Sequence, residues 1–232
     1  MIELHAFDDP RAQAAALAKA VSDALAASLA QADAASRATL AVSGGTSPRA
    51  FLQVLGSEQL DWPRVDVTLV DDRWVPEIDA ASNARLVRET LFDPAQAARS
   101  ARFLPLVDVA SALNAHVAAL NANPTHALPD VAVLGMGEDG HTASLFADAP
   151  EWPHITAETC ERFVAVHPGS APHPRVSFSL AALKRVPHLF LLIAGSRKRD
   201  VLEAATAASQ DNAISKLAND RGVRLDVYWS AN

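Results

Sequence analysis

The alternation of apolar strand-like segments with helical periodicity restricts the fold of this chain more than any other feature. Val131–Leu134 and His188–Ala194 are almost wholly apolar, and the alanine-rich segment 10–35 carries leucine or valine at every fourth position from Leu17 to Leu29. Strands that are apolar on both faces are typical of parallel sheets covered by helices. The sequence therefore predicts an α/β fold with a mostly parallel sheet flanked by helices.

We expect one Rossmann-like domain over residues 1–232, because no linker and no long-period repeat divides the chain. In such a sheet ligands bind outside the carboxyl ends of the strands, so the active site is expected there. Asp71–Trp74 is interpreted as a polar loop at one of these ends. The predicted strands are 39–42, 65–70, 131–134, 163–166, 176–179, 188–194 and 223–229, and the predicted helices are 10–35, 48–55, 86–91, 113–120 and 197–208.

Composition and charge exclude several classes of protein. The chain has 232 residues, half of them hydrophobic, and a formal net charge of −7, which argues against a disordered or nucleic-acid-binding chain. Cys160 is the only cysteine, so an intramolecular disulfide and a cysteine-rich zinc site are excluded, and we expect the thiol to pack as a small apolar group. The sequence shows neither a signal peptide nor an apolar run that could span a membrane, so a cytoplasmic protein is expected. The oligomeric state stays open.

Five of the nine glycines lie in two loops that follow predicted strands. In the first loop, Gly44 and Gly45 allow backbone N–H groups to approach an anion, and a helix predicted to start at Pro48, with Ser47 as its N-cap, adds a positive dipole end. The hydroxyls of Ser43, Thr46 and Ser47 could complete a phosphate site. A plain glycine turn between strand and helix is the alternative.

The second loop, Gly135–Gly140, matches the dinucleotide-binding pattern G-x-G-x-x-G. Glu138 and Asp139 would place carboxylates against a pyrophosphate, and the loop lies in the middle of the chain, so we reject a dinucleotide site. We interpret the loop as one that presents Asp139 and His141 at a strand end, where an imidazole could act as a base. The alternative is a structural turn in which both side chains only form hydrogen bonds.

Asp71, Asp72 and Arg73 follow the predicted strand at 65–70. Two adjacent carboxylates need solvent or a cation, and Arg73 is the expected partner in a simple loop salt bridge. In a functional interpretation Arg73 instead holds an anionic or carbonyl oxygen of a ligand.

Further cations lie at two predicted element starts. Arg175 precedes the strand at 176–179, and Arg197, Lys198 and Arg199 open the helix after Gly195. Three cations at a helix N-terminus favour a bound anion, because the helix dipole is already positive there. A helix facing bulk solvent would tolerate them without an anion.

Taken in chain order, these segments resemble the 6-phosphogluconolactonase family, which belongs to a larger sugar-phosphate isomerase-like group that includes glucosamine-6-phosphate deaminase. The resemblance covers nearly the whole chain. It implies hydrolysis of 6-phospho-D-glucono-1,5-lactone to 6-phosphogluconate in the oxidative pentose phosphate pathway, on a small-molecule sugar phosphate, with no metal and no organic cofactor. The segments that carry it are 40–48, 71–76 with Ser82 and Asn83, 135–146, 175–178 and 195–198.

Roles follow from the resemblance residue by residue. The loop Ser43–Ser47, Arg175 and Lys198 look like the phosphate site, and Arg73 looks like a further ligand contact. His141 looks like the base, with Asp139 beside it. Asp71 is a second candidate for the base, since it stands at the position that acts in the deaminase branch.

Two other functions are weighed against the lactonase. The deaminase branch has a glutamate five residues after the histidine of its Asp-Gly-His triplet and an aromatic residue after the paired acids, whereas this chain has Phe146 and Arg73 there. Both departures point away from amino-sugar isomerisation. Sensor domains of this fold bind sugar phosphates without turnover, but they accompany DNA-binding segments, and the retained Asp139–His141 pair favours chemistry.

Overall fold

The computed structural model describes residues 1–33, 35–45 and 47–231 of the chain. Its strands are β1 (Ile2–Phe7), β2 (Ala38–Val42), β3 (Val65–Leu69), β4 (Asp71–Arg73), β5 (Arg102–Phe103), β6 (Val131–Leu134), β7 (Phe163–Val166), β8 (Arg175–Phe178), β9 (His188–Ala194) and β10 (Leu225–Ser230). Its helices are α1 (Pro10–Gln31), α2 (Pro48–Gly56), α3 (Asn83–Thr90), α4 (Leu113–Ala122), α5 (Trp152–Ile155), α6 (Leu180–Leu183), α7 (Ser196–Ala207) and α8 (Ala213–Ala218).

The predicted parallel sheet is confirmed and has seven strands in the order β1-β10-β9-β6-β2-β3-β5. Every neighbouring pair in this sheet runs parallel. β3 and β5 lie on one side of β2, whereas the next strand along the chain, β6, pairs with β2 on its other side. The strand order therefore reverses between β2 and β6, and the crevice above their carboxyl ends is where such sheets bind ligands.

A second sheet of three antiparallel strands, in the order β4-β8-β7, was not foreseen from the sequence. The prediction that Asp71–Trp74 is a loop is wrong for its first three residues, which form β4. The reason is a long-range contact: Val70 accepts a backbone hydrogen bond from Phe178, so the chain passes from β3 directly into pairing with β8. This sheet places Arg73 directly opposite Arg175 in register.

Burial and length explain why most elements were predictable and why β1 and α8 were not. The apolar positions from Leu17 to Leu29 are buried on α1, which packs against the sheet. β1 escaped prediction because it is an edge strand that pairs only with β10 and carries polar residues among its half-buried ones. α8 escaped because six residues are too few for a helical period to emerge.

Among the described residues, no helix combines the length and the apolar character that a membrane crossing requires.

Candidate active site

A cavity of about 270 Å³ lies above the carboxyl ends of β2 and β6. That volume is slightly below the roughly 300–1,000 Å³ common for ligand pockets and suits a small polar molecule. Thr46 lies outside the described residues, and Asp139 lies behind His141 instead of on the wall. The other predicted site residues all line the cavity: Ser43, Gly44, Gly45, Ser47, Asp71, Arg73, His141, Arg175 and Lys198.

The loop between β2 and α2 forms one wall of this cavity. A Cβ atom on Gly44 would lie 1.8 Å from the side-chain oxygen of Asn83, so only glycine permits this close packing. Ser47 is the N-cap residue of α2, as predicted, but its hydroxyl makes no capping hydrogen bond. The Ser47 hydroxyl and the positive end of α2 are therefore available to a ligand.

His141 and Asp139 form a hydrogen-bonded pair at the end of β6. Nδ1 of His141 lies 2.6 Å from Oδ1 of Asp139, which leaves Nε2 as the ring nitrogen available to the cavity. The hydrogen bond from His141 lowers the pKa of Asp139, so the carboxylate stays ionised beside the ring. Gly137 makes room for the pair: a Cβ atom there would lie 2.3 Å from the His141 ring and 2.4 Å from Asp139 Oδ1.

Phe146 packs against two side chains that line the cavity. Its ring is buried and stacks on the His141 imidazole with a centroid distance of 4.0 Å. The guanidinium of Arg175 also lies over this ring, 4.9 Å from its centroid. Phe146 thus orients one ionisable group and one cation of the cavity through an apolar surface.

Asp71 is held by a residue that the sequence did not single out. Oδ2 of Asp71 accepts a 2.5 Å hydrogen bond from the hydroxyl of Ser144, which is fully buried. The same hydroxyl oxygen lies 3.4 Å from Nη1 of Arg175. Ser144 therefore links the acidic and the basic side of the cavity, and nothing in its local sequence distinguishes it from an ordinary loop serine.

The expected salt bridge from Arg73 to the paired acids is not formed. Asp72 instead accepts backbone hydrogen bonds from Arg73, Asn83 and Ala84 and so fixes the start of α3 beside the cavity. Burial raises the pKa of Asp72 to about 6, in opposition to these three donors. The Arg73 guanidinium turns away and donates to the carbonyl of Ala81, because the carboxylate is already satisfied by the backbone.

Arg175 is a buried cation without a matching carboxylate contact. It is 6% exposed, and no described residue forms a salt bridge with it or a hydrogen bond with its Nε. Its remaining hydrogen bonds, to Ser144 and to the Pro172 carbonyl, are both 3.4 Å long. Burial lowers the pKa of Arg175, and Arg73 across the strand pair acts in the same direction. A buried, poorly paired guanidinium next to a second one is a site that an anion would stabilise.

The three cations at the start of α7 do not act together, contrary to the expectation. Arg197 is 81% exposed, and its guanidinium lies 3.6 Å from Glu138. Arg199 pairs with Glu203 and covers the ring of Trp229. Only Lys198 lines the cavity, because one helical face alone is directed towards it.

Within the described parts of the chain, no cluster of potential metal ligands lies in this cavity. Two groups of three such side chains occur, and both lie elsewhere. The cavity itself offers an imidazole, one carboxylate and three cations, which is a set suited to anion binding and acid–base chemistry.

Comparison with known proteins agrees with this geometry. The chain is 38% identical to the 6-phosphogluconolactonase of Neisseria meningitidis serogroup A over 99% of its own length and 100% of that protein. It is 39% identical to that of Rhizobium meliloti, with 98% of each chain covered. The crystal structure of a 6-phosphogluconolactonase from Shewanella baltica matches with a TM-score of 0.91 and 34% identity, over 100% of this chain and 98% of that one.

The model of one protein family, described as Glucosamine-6-phosphate isomerases/6-phosphogluconolactonase, matches residues 9–225. This match spans all strands from β2 to the first residue of β10 and includes every wall of the cavity. The chain therefore belongs to the glucosamine-6-phosphate isomerase/6-phosphogluconolactonase family.

Proposed function

We propose that this protein hydrolyses 6-phospho-D-glucono-1,5-lactone to 6-phospho-D-gluconate in the oxidative pentose phosphate pathway, in the cytoplasm. One observation carries the proposal: a single cavity brings His141, which is hydrogen-bonded to Asp139, together with the cations Arg73, Arg175 and Lys198. An ester-like carbonyl with a phosphate at its far end needs a base at one end and cations at the other. The curated relatives named above, which are 6-phosphogluconolactonases, support the same reaction.

His141 is proposed as the general base. Water attacks C1 of the lactone while Nε2 of His141 takes its proton, and Asp139 holds the imidazolium through Nδ1. The tetrahedral intermediate then collapses with cleavage of the bond between C1 and the ring oxygen. His141 returns its proton to that oxygen as it leaves, so the enzyme ends each turnover in its starting state.

Arg73 and the amides of the Gly135–Gly140 loop are proposed to stabilise the negative charge that builds on the carbonyl oxygen. Arg73 is favoured because Nε of its guanidinium is buried with no partner among the described residues. A donor that is held in place before the reaction costs no reorganisation when charge develops.

The phosphate is proposed to bind where the first glycine loop meets Arg175 and Lys198. The loop supplies Ser43, Ser47 and the backbone around Gly44 and Gly45, with Thr46 as an expected further contact, and α2 adds its dipole. Fixing the phosphate orients the lactone, so binding energy at this end supports catalysis at the other.

Asp71 remains a second candidate for the base, because its carboxylate also lines the cavity. Its hydrogen bond to Ser144 and its burial favour a role in fixing Arg175 and the substrate instead. The substitutions Asp71→Asn and His141→Ala separate the two, since only loss of the base removes turnover while the product still binds.

The proposed activity is tested by lactone hydrolysis with the lactone generated in situ, the spontaneous rate subtracted, and glucosamine 6-phosphate assayed in parallel. We expect rapid loss of lactone and no ammonia from the amino sugar, because Phe146 presents an apolar ring where the deaminase branch has a glutamate. Lactone loss at the spontaneous rate would refute the proposal. Ammonia release in that case would assign deaminase activity, and its absence would leave a binding domain.

A further inference from the structure

Three side chains with metal-ligating atoms converge between α5 and β7, outside the cavity described above. His154 lies on α5, and Cys160 and Glu161 lie just before β7. Sγ of Cys160 is 3.7 Å from Nε2 of His154 and 3.9 Å from Oε2 of Glu161. The third separation, between Nε2 of His154 and Oε2 of Glu161, is 3.5 Å.

These three distances are close to the edges of a zinc coordination tetrahedron. Bonds of about 2.0–2.3 Å at tetrahedral angles place two ligand atoms about 3.4–3.6 Å apart. The observed separations of 3.5, 3.7 and 3.9 Å therefore need to contract by only a few tenths of an ångström. A thiolate, an imidazole and a carboxylate together favour Zn²⁺ or Co²⁺ over the oxygen-seeking Mg²⁺ and Ca²⁺.

Hydrogen bonding alone explains the positions of these three side chains less well than metal coordination does. A separation of 3.5 Å between His154 and Glu161 is longer than the usual N–H···O range of about 2.7–3.2 Å. In the same groove, His167 and Glu151 do form an ordinary hydrogen bond of 2.7 Å. The two hydrogen bonds of Cys160 Sγ, at 3.7 and 3.9 Å, are long ones to sulfur, so the three groups hold one another only weakly.

The other cluster of this kind in the described structure differs in the charge around it. It consists of Glu3, His5 and Asp226, and both of its carboxylates are bound by Arg224. A cation already occupies the position from which a metal would be bound. No lysine or arginine salt bridge to Glu161 is found among the described residues, so its carboxylate remains free to serve as a ligand.

We propose that His154, Cys160 and Glu161 bind one divalent cation of the zinc class, with water in the fourth position. His154 and Glu161 are 61% and 63% exposed and line a groove of about 670 Å³, so a metal can enter and keep a bound water. None of the three residues lines the active cavity, so this site is independent of the proposed lactone hydrolysis. Metal binding would link the end of α5 to the start of β7.

The test is a titration of the reduced, chelator-treated protein with Co²⁺, followed by competition with Zn²⁺. We expect one equivalent of Co²⁺ to produce a thiolate-to-metal charge-transfer band, which Zn²⁺ abolishes. Because the thiol must lose its proton to bind, binding releases a proton and weakens as the pH falls. Cys160→Ser should remove the band and weaken Zn²⁺ binding by about tenfold or more.

His167→Ala is the matched control, since it removes a histidine from the same groove but leaves the three ligands in place. It should bind Co²⁺ with the wild-type spectrum and stoichiometry. The proposal is overturned if wild-type protein shows no charge-transfer band, or if Cys160→Ser binds Zn²⁺ as tightly as wild type.

A second readout avoids substitution altogether. Cys160 is the only cysteine, so its alkylation by a thiol reagent can be followed in the intact protein. Zn²⁺ should slow this alkylation at least severalfold, and Mg²⁺ should not. An alkylation rate that Zn²⁺ leaves unchanged would also overturn the proposal.

Discussion

Gly137 controls the position of the proposed base, and a single methyl group tests this directly. In Gly137→Ala the new Cβ would lie 2.3 Å from the His141 ring and 2.4 Å from Asp139 Oδ1. Ordinary van der Waals contact begins near 3.4 Å, so the imidazole and the carboxylate must both move by about 1 Å. A misplacement of that size in a catalytic group can lower the rate by roughly 10²-fold.

Gly135→Ala in the same loop supplies the control. A Cβ atom there would lie 3.6 Å from the Ser43 hydroxyl, which is ordinary contact. Neither glycine has a positive φ, so alanine strains neither backbone. We therefore expect kcat for the lactone to fall about 10²-fold in Gly137→Ala and less than about threefold in Gly135→Ala.

The assay is lactone hydrolysis with the spontaneous rate subtracted, combined with calorimetric titration of 6-phosphogluconate. The proposed phosphate site lies on the other side of the cavity, so Gly137→Ala should bind product within about twofold of wild type. Wild-type kcat in Gly137→Ala would refute the reasoning. Equal losses in the two variants would also refute it, because the effect would then belong to the loop and not to the Asp139–His141 pair.

Further predictions concern the charges of the site. Asp139→Asn should lower kcat about tenfold or more in the lactone assay without weakening product binding, because His141 loses the carboxylate that stabilises its charged form. Arg175→Met and Lys198→Met should each raise KM about thirtyfold, equivalent to about 2 kcal/mol, and an unchanged KM would contradict the phosphate assignment. Arg175→Met should also be no less stable to unfolding than wild type, since it removes a poorly paired buried charge. Because the folded-state pKa of Asp72 is raised to about 6, its contribution to stability is present below pH 4 and is lost as the pH rises through 6. The difference in unfolding free energy between wild type and Asp72→Asn, measured by urea denaturation, should therefore shift by about 2 kcal/mol between pH 4 and pH 7 against wild type, and a difference independent of pH would contradict the burial argument.

Much of the fold was predictable because its central strands are buried on both faces. Such strands are apolar throughout, as β6 is, and they end abruptly where a polar loop begins. Two of the elements that the sequence did not predict, β1 and β4, lack this signature. β1 is a half-exposed edge strand, and β4 consists of two acids and an arginine. The pairing of β4 with β8 depends on a partner about a hundred residues away, which periodicity cannot reveal.

The candidate site was predictable to the extent that its residues lie at strand ends. Loops after β2 and β6 must meet at the reversal of strand order, which brings Ser43 and His141 to one cavity. Pairings within the site were not predictable. Asp72 is bound by backbone amides and not by the Arg73 guanidinium, which depends on where α3 begins. Asp71 is bound by Ser144, which depends on the position of the loop after β6.

The account depends most directly on His141, so the decisive measurement is the steady-state hydrolysis of 6-phosphogluconolactone by His141→Ala beside wild type and Asp71→Asn. General-base catalysis is worth about 10²–10⁴-fold, and we expect kcat of His141→Ala to fall within that range while its affinity for 6-phosphogluconate stays within about twofold of wild type. Asp71→Asn should retain substantially more turnover than His141→Ala. Wild-type turnover in His141→Ala would contradict the account, and a loss confined to Asp71→Asn would in addition assign the base to Asp71.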